Sequence, residues 1–258
     1  MGTPHTETAL QEAVSKVPAV TLGFWIIKIA ATTLGETGGD TVSMSLGLGY
    51  LAGTAIFASA LVVLVFLQVR AKQFHPWLYW LTIIASTTAG TTLADFADRS
   101  LGIGYAGGSA MLVACVLGSL LAWRSVEGRI SADDIATPRA EVFYWVTITF
   151  AQTLGTALGD WTADEAGLGY VGGAMVFAGM LTLVVAAYFW GGLSRTLAFW
   201  AAFILTRPLG ATVGDFLNKP LADGGLALSR PIATLVLFAF IALCITLLPQ
   251  KAGRHASS

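Results

Sequence analysis

The sequence predicts an all-α membrane protein: eight transmembrane helices, built as four parallel two-helix repeats. Three observations predict it. First, 55% of the 258 residues are hydrophobic and 11% are charged, against about 25% charged in a soluble domain. That is too little charge to clothe a globule, and the net charge of −1 provides no field to recruit DNA or RNA. Soluble enzymes, nucleic-acid binders and disordered chains are thereby excluded. Second, the apolar residues fall into eight runs of membrane-spanning length. Third, one acidic phrase recurs along the chain.

A membrane helix needs about 20 mostly apolar residues. The runs are 17–35, 50–69, 77–94, 105–123, 142–159, 170–191, 197–214 and 232–248. They group into repeats over about 17–70, 77–124, 142–192 and 196–249. Segment 1–16 is too polar for the core of a signal peptide, and 250–258 forms a tail. Loop cations set the orientation. Lys16, Arg70, Lys72, Arg124, Arg129, Arg139, Arg195, Lys251 and Arg254 lie on one side, and only Arg99, Lys219 and Arg230 on the other. Both termini are therefore expected in the cytoplasm of a bacterial cell, with the chain multi-pass in the inner membrane. Trp77, Trp123 and Trp190 fit an aromatic belt at the cytoplasmic interface.

The repeated phrase ends each odd-numbered helix. It reads Leu34-Gly35-Glu36-Thr37-Gly38-Gly39-Asp40 in the first copy, Thr91-Thr92-Leu93-Ala94-Asp95 in the second, Thr156-Ala157-Leu158-Gly159-Asp160 in the third and Ala211-Thr212-Val213-Gly214-Asp215 in the fourth. A Gly-x-Gly-Tyr phrase follows the first three at constant spacing, ending at Tyr50, Tyr105 and Tyr170. It is read as a tight turn with close helix packing. The Thr-x-Leu-small-acid wording aligns Glu36 with Asp95, Asp160 and Asp215, as if the first copy carried one extra helical turn. Glu36 and Asp40 then share the acid position.

An even number of spans per repeat keeps the repeats parallel, related by an axis along the membrane normal. The acids then share one, non-cytoplasmic, side. If the helix ends meet, Glu36, Asp40, Asp95, Asp160 and Asp215 crowd into a small volume, with Thr32, Thr91 and Thr156 one turn below. Like-charge repulsion and desolvation make such a cluster costly, and a bound cation or shared protons relieve it. Oxygen ligands suit hard cations such as Mg²⁺, Ca²⁺ or Mn²⁺. Two turns below the acids lie Lys28, Thr87, Gln152 and Arg207, so a polar stripe runs toward mid-membrane. Lys28, Arg207 and Gln152 are assigned a charge-tuning role, the two cations pairing with the acids or standing in for the bound ion. The acids at Asp98, Asp164, Glu165 and Asp223 read as boundary and capping residues as readily as ligands.

Cys115 and Cys244 sit in apolar runs as packing residues. His5, His75 and His255 lie outside those runs, which argues against haem. No cofactor is expected. The expected partners are the lipid bilayer and a small cation, with a homo-oligomer of the chain as an option.

At the four acidic repeats the chain resembles, over its whole length, a widespread group of uncharacterised bacterial polytopic membrane proteins of about this size. The phrase Glu36-Thr37-Gly38-Gly39-Asp40-Thr41 is also similar to the E-x-G-D-[KR]-[ST] signature of Ca²⁺/Mn²⁺ exchangers, with one residue more and no basic residue. That resemblance implies Glu36 and Asp40 as cation ligands. The expected function is an inner-membrane transporter of a cation, most readily a divalent metal with Mn²⁺ favoured, and not an enzyme. The alternatives are a non-transporting scaffold or partner subunit with a buried polar network, and then a cation channel or organic-cation transporter.

Overall fold

The computed structural model describes residues 16–130, 135 and 137–253. Eight α-helices account for most of them: α1 (Leu22–Asp40), α2 (Gly49–Arg70), α3 (Pro76–Asp95), α4 (Tyr105–Glu127), α5 (Pro138–Asp160), α6 (Gly169–Trp190), α7 (Arg195–Asn218) and α8 (Arg230–Leu247). Side-chain caps start several of them. Thr21, Thr137 and Ser194 accept from the backbone N–H groups of Phe24, Ala140 and Leu197, which satisfies amides that a helix start otherwise leaves unpaired.

The same exit follows three of the odd-numbered helices. A single π-helical turn (Thr41–Ser45, Phe96–Ser100 or Trp161–Glu165) continues directly from Asp40, Asp95 and Asp160. The Gly-x-Gly phrase then reverses the chain. Both glycines have positive φ in every copy, from +64° to +80°. Open space surrounds each of these six positions, so backbone conformation, not crowding, selects glycine here. After α7 the exit is different, with a 3₁₀ turn at Leu221–Asp223. The fourth copy accordingly lacks the Gly-x-Gly-Tyr wording.

The helices form two concentric layers. α1, α3, α5 and α7 pack in cyclic order into an inner ring, α7 closing on α1. The outer helices pack mainly on the inner helix of the next repeat. α2 packs on α3, α4 on α5, α6 on α7, and α8 returns to α1. Each repeat is thus completed by the next. The chain ends reinforce the closure: Ala19 N–H donates to the Lys251 carbonyl and Gly253 N–H to the Val17 carbonyl, each at 2.8 Å.

Among the described residues, five helices are long and apolar enough to cross a membrane: α2, α4, α6, α7 and α8. The outer ones present Val62, Phe66, Leu121, Leu183, Phe189 and Leu235 to the outside, an apolar surface that water would not tolerate and lipid does. The other three of the eight expected spans differ from these five. α1, α3 and α5 fall short of that apolarity because their second halves are built of Thr, Gly and acids. Those halves are buried inside the ring and need not meet lipid. Trp123 is a correction. It is buried against Tyr144 and Trp200, so it belongs to the core and not to an interfacial belt, whereas Trp77 and Trp190 are exposed.

Candidate functional site

The inner ring is assembled on glycine. A Cβ at Gly35 would strike the Thr87 side chain, at Gly90 the α5 backbone at Gln152 and Thr153, at Gly155 the Arg207 stem and Pro208, and at Gly210 the Thr32 side chain. Each glycine makes room for the next inner helix, around the full circle. All four sit five residues before an aspartate, namely Asp40, Asp95, Asp160 and Asp215.

This layer corrects the register of the first repeat. Asp40, not Glu36, is the counterpart of Asp95, Asp160 and Asp215. It ends α1 immediately before a π turn, as Asp95 and Asp160 end α3 and α5. No extra turn is present. Glu36 occupies the place of Thr91 and Thr156, one turn inward, and the next layer is Thr32, Thr87, Gln152 and Arg207. Lys28 moves one turn deeper again, level with Ile83, Ile148 and Phe203. The repeated wording misled because Thr32-x-Leu34-Gly35-Glu36 copies the phrase one turn early.

The four helix ends do meet. One carboxylate oxygen from each of Glu36, Asp40 and Asp95 lies within 4.8 Å of the others, and the same holds for Glu36, Asp160 and Asp215. All five acids are buried. The chain supplies them with cations. Arg207 reaches Glu36 Oε2 from both terminal nitrogens at 3.2 Å. Its Nη2 also donates to the Thr91 and Thr156 hydroxyls, so one guanidinium ties together all four inner helices. At the rim Arg99 lies 2.7 Å from Asp95 and 3.8 Å from Asp160. Arg230 lies 3.3 Å from Asp40 and Lys219 3.4 Å from Asp215. Burial works against the Lys219 ammonium, yet the carboxylates of Asp215 and Asp40 outweigh it and hold its pKa above the usual lysine value.

The other anticipated residues fall differently. Thr32 bonds to backbone carbonyls, among them that of Thr206 at 3.1 Å, and to no carboxylate. Lys28 pairs with none of the acids, against expectation. Its ammonium lies 3.5 Å from Gln152 Oε1 and 4.0 Å from the centre of the Phe203 ring. From a position one turn deeper it does not reach the acid layer. Glu165 and Asp223 are exposed, and Asp164 receives only a 3.5 Å contact from the Tyr170 hydroxyl.

The opposite end of the ring carries a feature the residue-by-residue reading passed over. Each inner helix bears an aromatic pair: Phe24-Trp25, Tyr79-Trp80, Tyr144-Trp145 and Phe199-Trp200. The first member packs on the tryptophan of the next helix all the way round, Phe24 on Trp80, Tyr79 on Trp145, Tyr144 on Trp200 and Phe199 on Trp25, with centroids 5.4 to 6.1 Å apart. The signal was constant spacing: each pair begins sixteen residues before its aspartate, about 24 Å along a helix.

Four segments, 23–74, 78–129, 143–192 and 198–249, match the family described as "Repeat of Unknown Function (DUF347)". The chain belongs to the DUF347 family. The match covers one inner and one outer helix in each copy. The starts of the DUF347 segments place Asp40, Asp95, Asp160 and Asp215 at one and the same position of the repeat, in agreement with the glycine layer. No curated protein and no solved structure matches the chain. The likeness to the exchanger signature therefore rests on the stretch Glu36–Thr41 alone, where Glu36 and Asp40 stand in different layers.

Proposed function

We propose that this DUF347 protein is an inner-membrane cation transporter whose cation site is the acid layer Glu36, Asp40, Asp95, Asp160 and Asp215. All eight helices then cross the bilayer, the four repeats parallel and both termini cytoplasmic, as the loop cations direct. The observation that carries this reading is the convergence of five buried carboxylates from four separate helices at one end of a closed ring. Five carboxylates face four basic side chains, which leaves one negative charge to be met by a small cation or a proton. A divalent ion, with Mn²⁺ the first to test, enters by displacing one basic arm.

The arms differ in their freedom. The Arg99 and Arg230 side chains are 30% and 26% exposed and Lys219 12%, whereas Arg207 is fully enclosed. The three rim arms act as exchangeable counterions at the mouth, and Arg207 closes the floor with Thr91 and Thr156. The aromatic layer seals the far end. Transport requires that layer to part while the rim is shut. Flux of Mn²⁺ into proteoliposomes, compared between the parent and an Asp95→Asn/Asp160→Asn double variant, tests the reading. Loss of flux in a variant that remains folded supports it, and undiminished flux sinks it.

The ion pairs favour a second reading, a non-transporting scaffold in which the acids lock the inner ring. There, acid-to-amide changes lower thermal stability and no ion flux is measured in the parent.

A further inference from the structure

The acid layer leaves a second set of groups unused, deeper in the ring. Among the described residues, the inner ring buries five side-chain polar atoms that have no partner: Thr87 Oγ1, Gln152 Nε2 and Arg207 Nε one layer below Glu36, and Trp145 Nε1 and Trp200 Nε1 in the aromatic layer. Four are N–H groups, which donate and cannot accept, and the fifth is a hydroxyl. Lys28 stands between these two sets with no acid partner among the described residues, held by the Gln152 amide oxygen and the Phe203 ring. Thr87, Gln152 and Arg207 occupy equivalent places on three adjacent inner helices, and all three side chains are wholly enclosed, as is Lys28. A buried donor without an acceptor, and a buried cation without a counterion, are both expensive in an apolar setting. Here they coincide.

We propose that this middle level is an anion site, formed by Lys28 Nζ, Gln152 Nε2, Thr87 Oγ1 and Arg207 Nε, for a monovalent anion, with a halide as its probe. Charge fixes the valence. Arg207 is already matched by Glu36, so a protonated Lys28 brings one positive charge to this level, and a bound anion would hold it protonated. The donor set fixes the class, because an anion accepts from every group that lacks an acceptor. The site does not rest on the cation reading. It lies two to three helical turns inward of the aspartate layer and uses none of its aspartates.

The test uses the full chain purified in detergent, in N-methyl-D-glucamine salts at constant ionic strength, with gluconate replaced stepwise by chloride or bromide. Equilibrium binding of ³⁶Cl⁻ is followed in parallel, and no metal is present, so the cation reading is not at stake. The parent is expected to show saturable binding and a halide-dependent rise in unfolding temperature. Gln152→Ala and Thr87→Val should each weaken binding by about tenfold, the loss of roughly one hydrogen bond to a charged group, and Lys28→Met should abolish it. Absence of halide binding to the parent overturns the site, as does binding that survives unchanged in Thr87→Val and Lys28→Met. Should Lys28→Met fail to fold, the near-isosteric Thr87→Val decides.

Discussion

Arg207 on α7 holds one oxygen of Glu36 on α1 with both terminal nitrogens at 3.2 Å, and both residues are buried. A buried pair of this kind contributes little net stability compared with well-packed apolar residues, but removing one partner strands the other. Glu36→Gln and Arg207→Met should each lower unfolding stability by about 3–5 kcal/mol. The double variant Glu36→Gln/Arg207→Met should recover much of that loss. Chemical unfolding in mixed micelles measures both. Additive losses would show that the two side chains act separately.

The rim arms compete with whatever cation the acid layer takes. An exposed or half-exposed ion pair is worth about 0–1 kcal/mol. Removing the Arg99 guanidinium should therefore tighten cation binding by up to about fivefold, since RT ln 5 is near 1 kcal/mol. Arg99→Gln should show a lower half-saturating Mn²⁺ concentration in thermal shift. Arg207→Gln should not, because its arm forms the floor of the layer and not its mouth. A weaker Mn²⁺ response in Arg99→Gln would mean that the arm assembles the acids instead of competing for them.

Much of this was legible in the sequence, because the repeat was. Four copies of an aspartate at the end of an apolar run, three of them followed by Gly-x-Gly-Tyr, were enough to place the acids at one end and the turns beyond them. The register of the first copy was not. Glu36 imitates the acid of the phrase one turn early, and the close helix approach at the glycine five residues before each aspartate, together with the π turn after Asp40, resolves the ambiguity. The aromatic pairs were visible as spacing but lay far from the acids, so nothing in the acidic motif drew attention to them. The partners of Arg99, Lys219 and Arg230 could not be assigned, because ring closure, which brings Arg230 at the start of α8 to Asp40 at the end of α1, is a tertiary property. The interlock of each outer helix with the next repeat is of the same kind.

The glycine layer separates crowded positions from open ones. At Gly155 an added Cβ collides with the Arg207 stem and sits 3.0 Å from Pro208 Cδ, so α5 and α7 must part. At Gly179 on the outer α6 there is open space. Gly155→Ala should cost about 1–3 kcal/mol, as overpacking does in a filled core. Gly179→Ala should be neutral or slightly stabilising, since alanine is the better helix former. Thermal unfolding of the two variants side by side decides. Equal effects would mean that the inner helices do not approach as closely as the ring requires.

Within the aromatic layer the Tyr79 and Tyr144 hydroxyls meet at 2.7 Å, where the other two helices carry Phe24 and Phe199. Tyr144→Phe removes the partner of the Tyr79 hydroxyl, which is buried and has no other hydrogen-bond partner among the described residues. Leaving such a group unsatisfied costs about 1–3 kcal/mol, whereas removing both partners of a pair is close to neutral. Tyr144→Phe should therefore destabilise the protein more than Tyr79→Phe/Tyr144→Phe, which turns the layer into four phenylalanines around the ring. If closure of this end matters to transport, the double variant should keep its flux, because the stacked rings and not the hydroxyls do the sealing. Trp80→Ala, which removes the surface that Phe24 packs on at 5.4 Å, should instead make proteoliposomes leaky to protons and small cations. A tight vesicle with Trp80→Ala would place the barrier elsewhere along the axis, with the Arg207 floor the next level to examine.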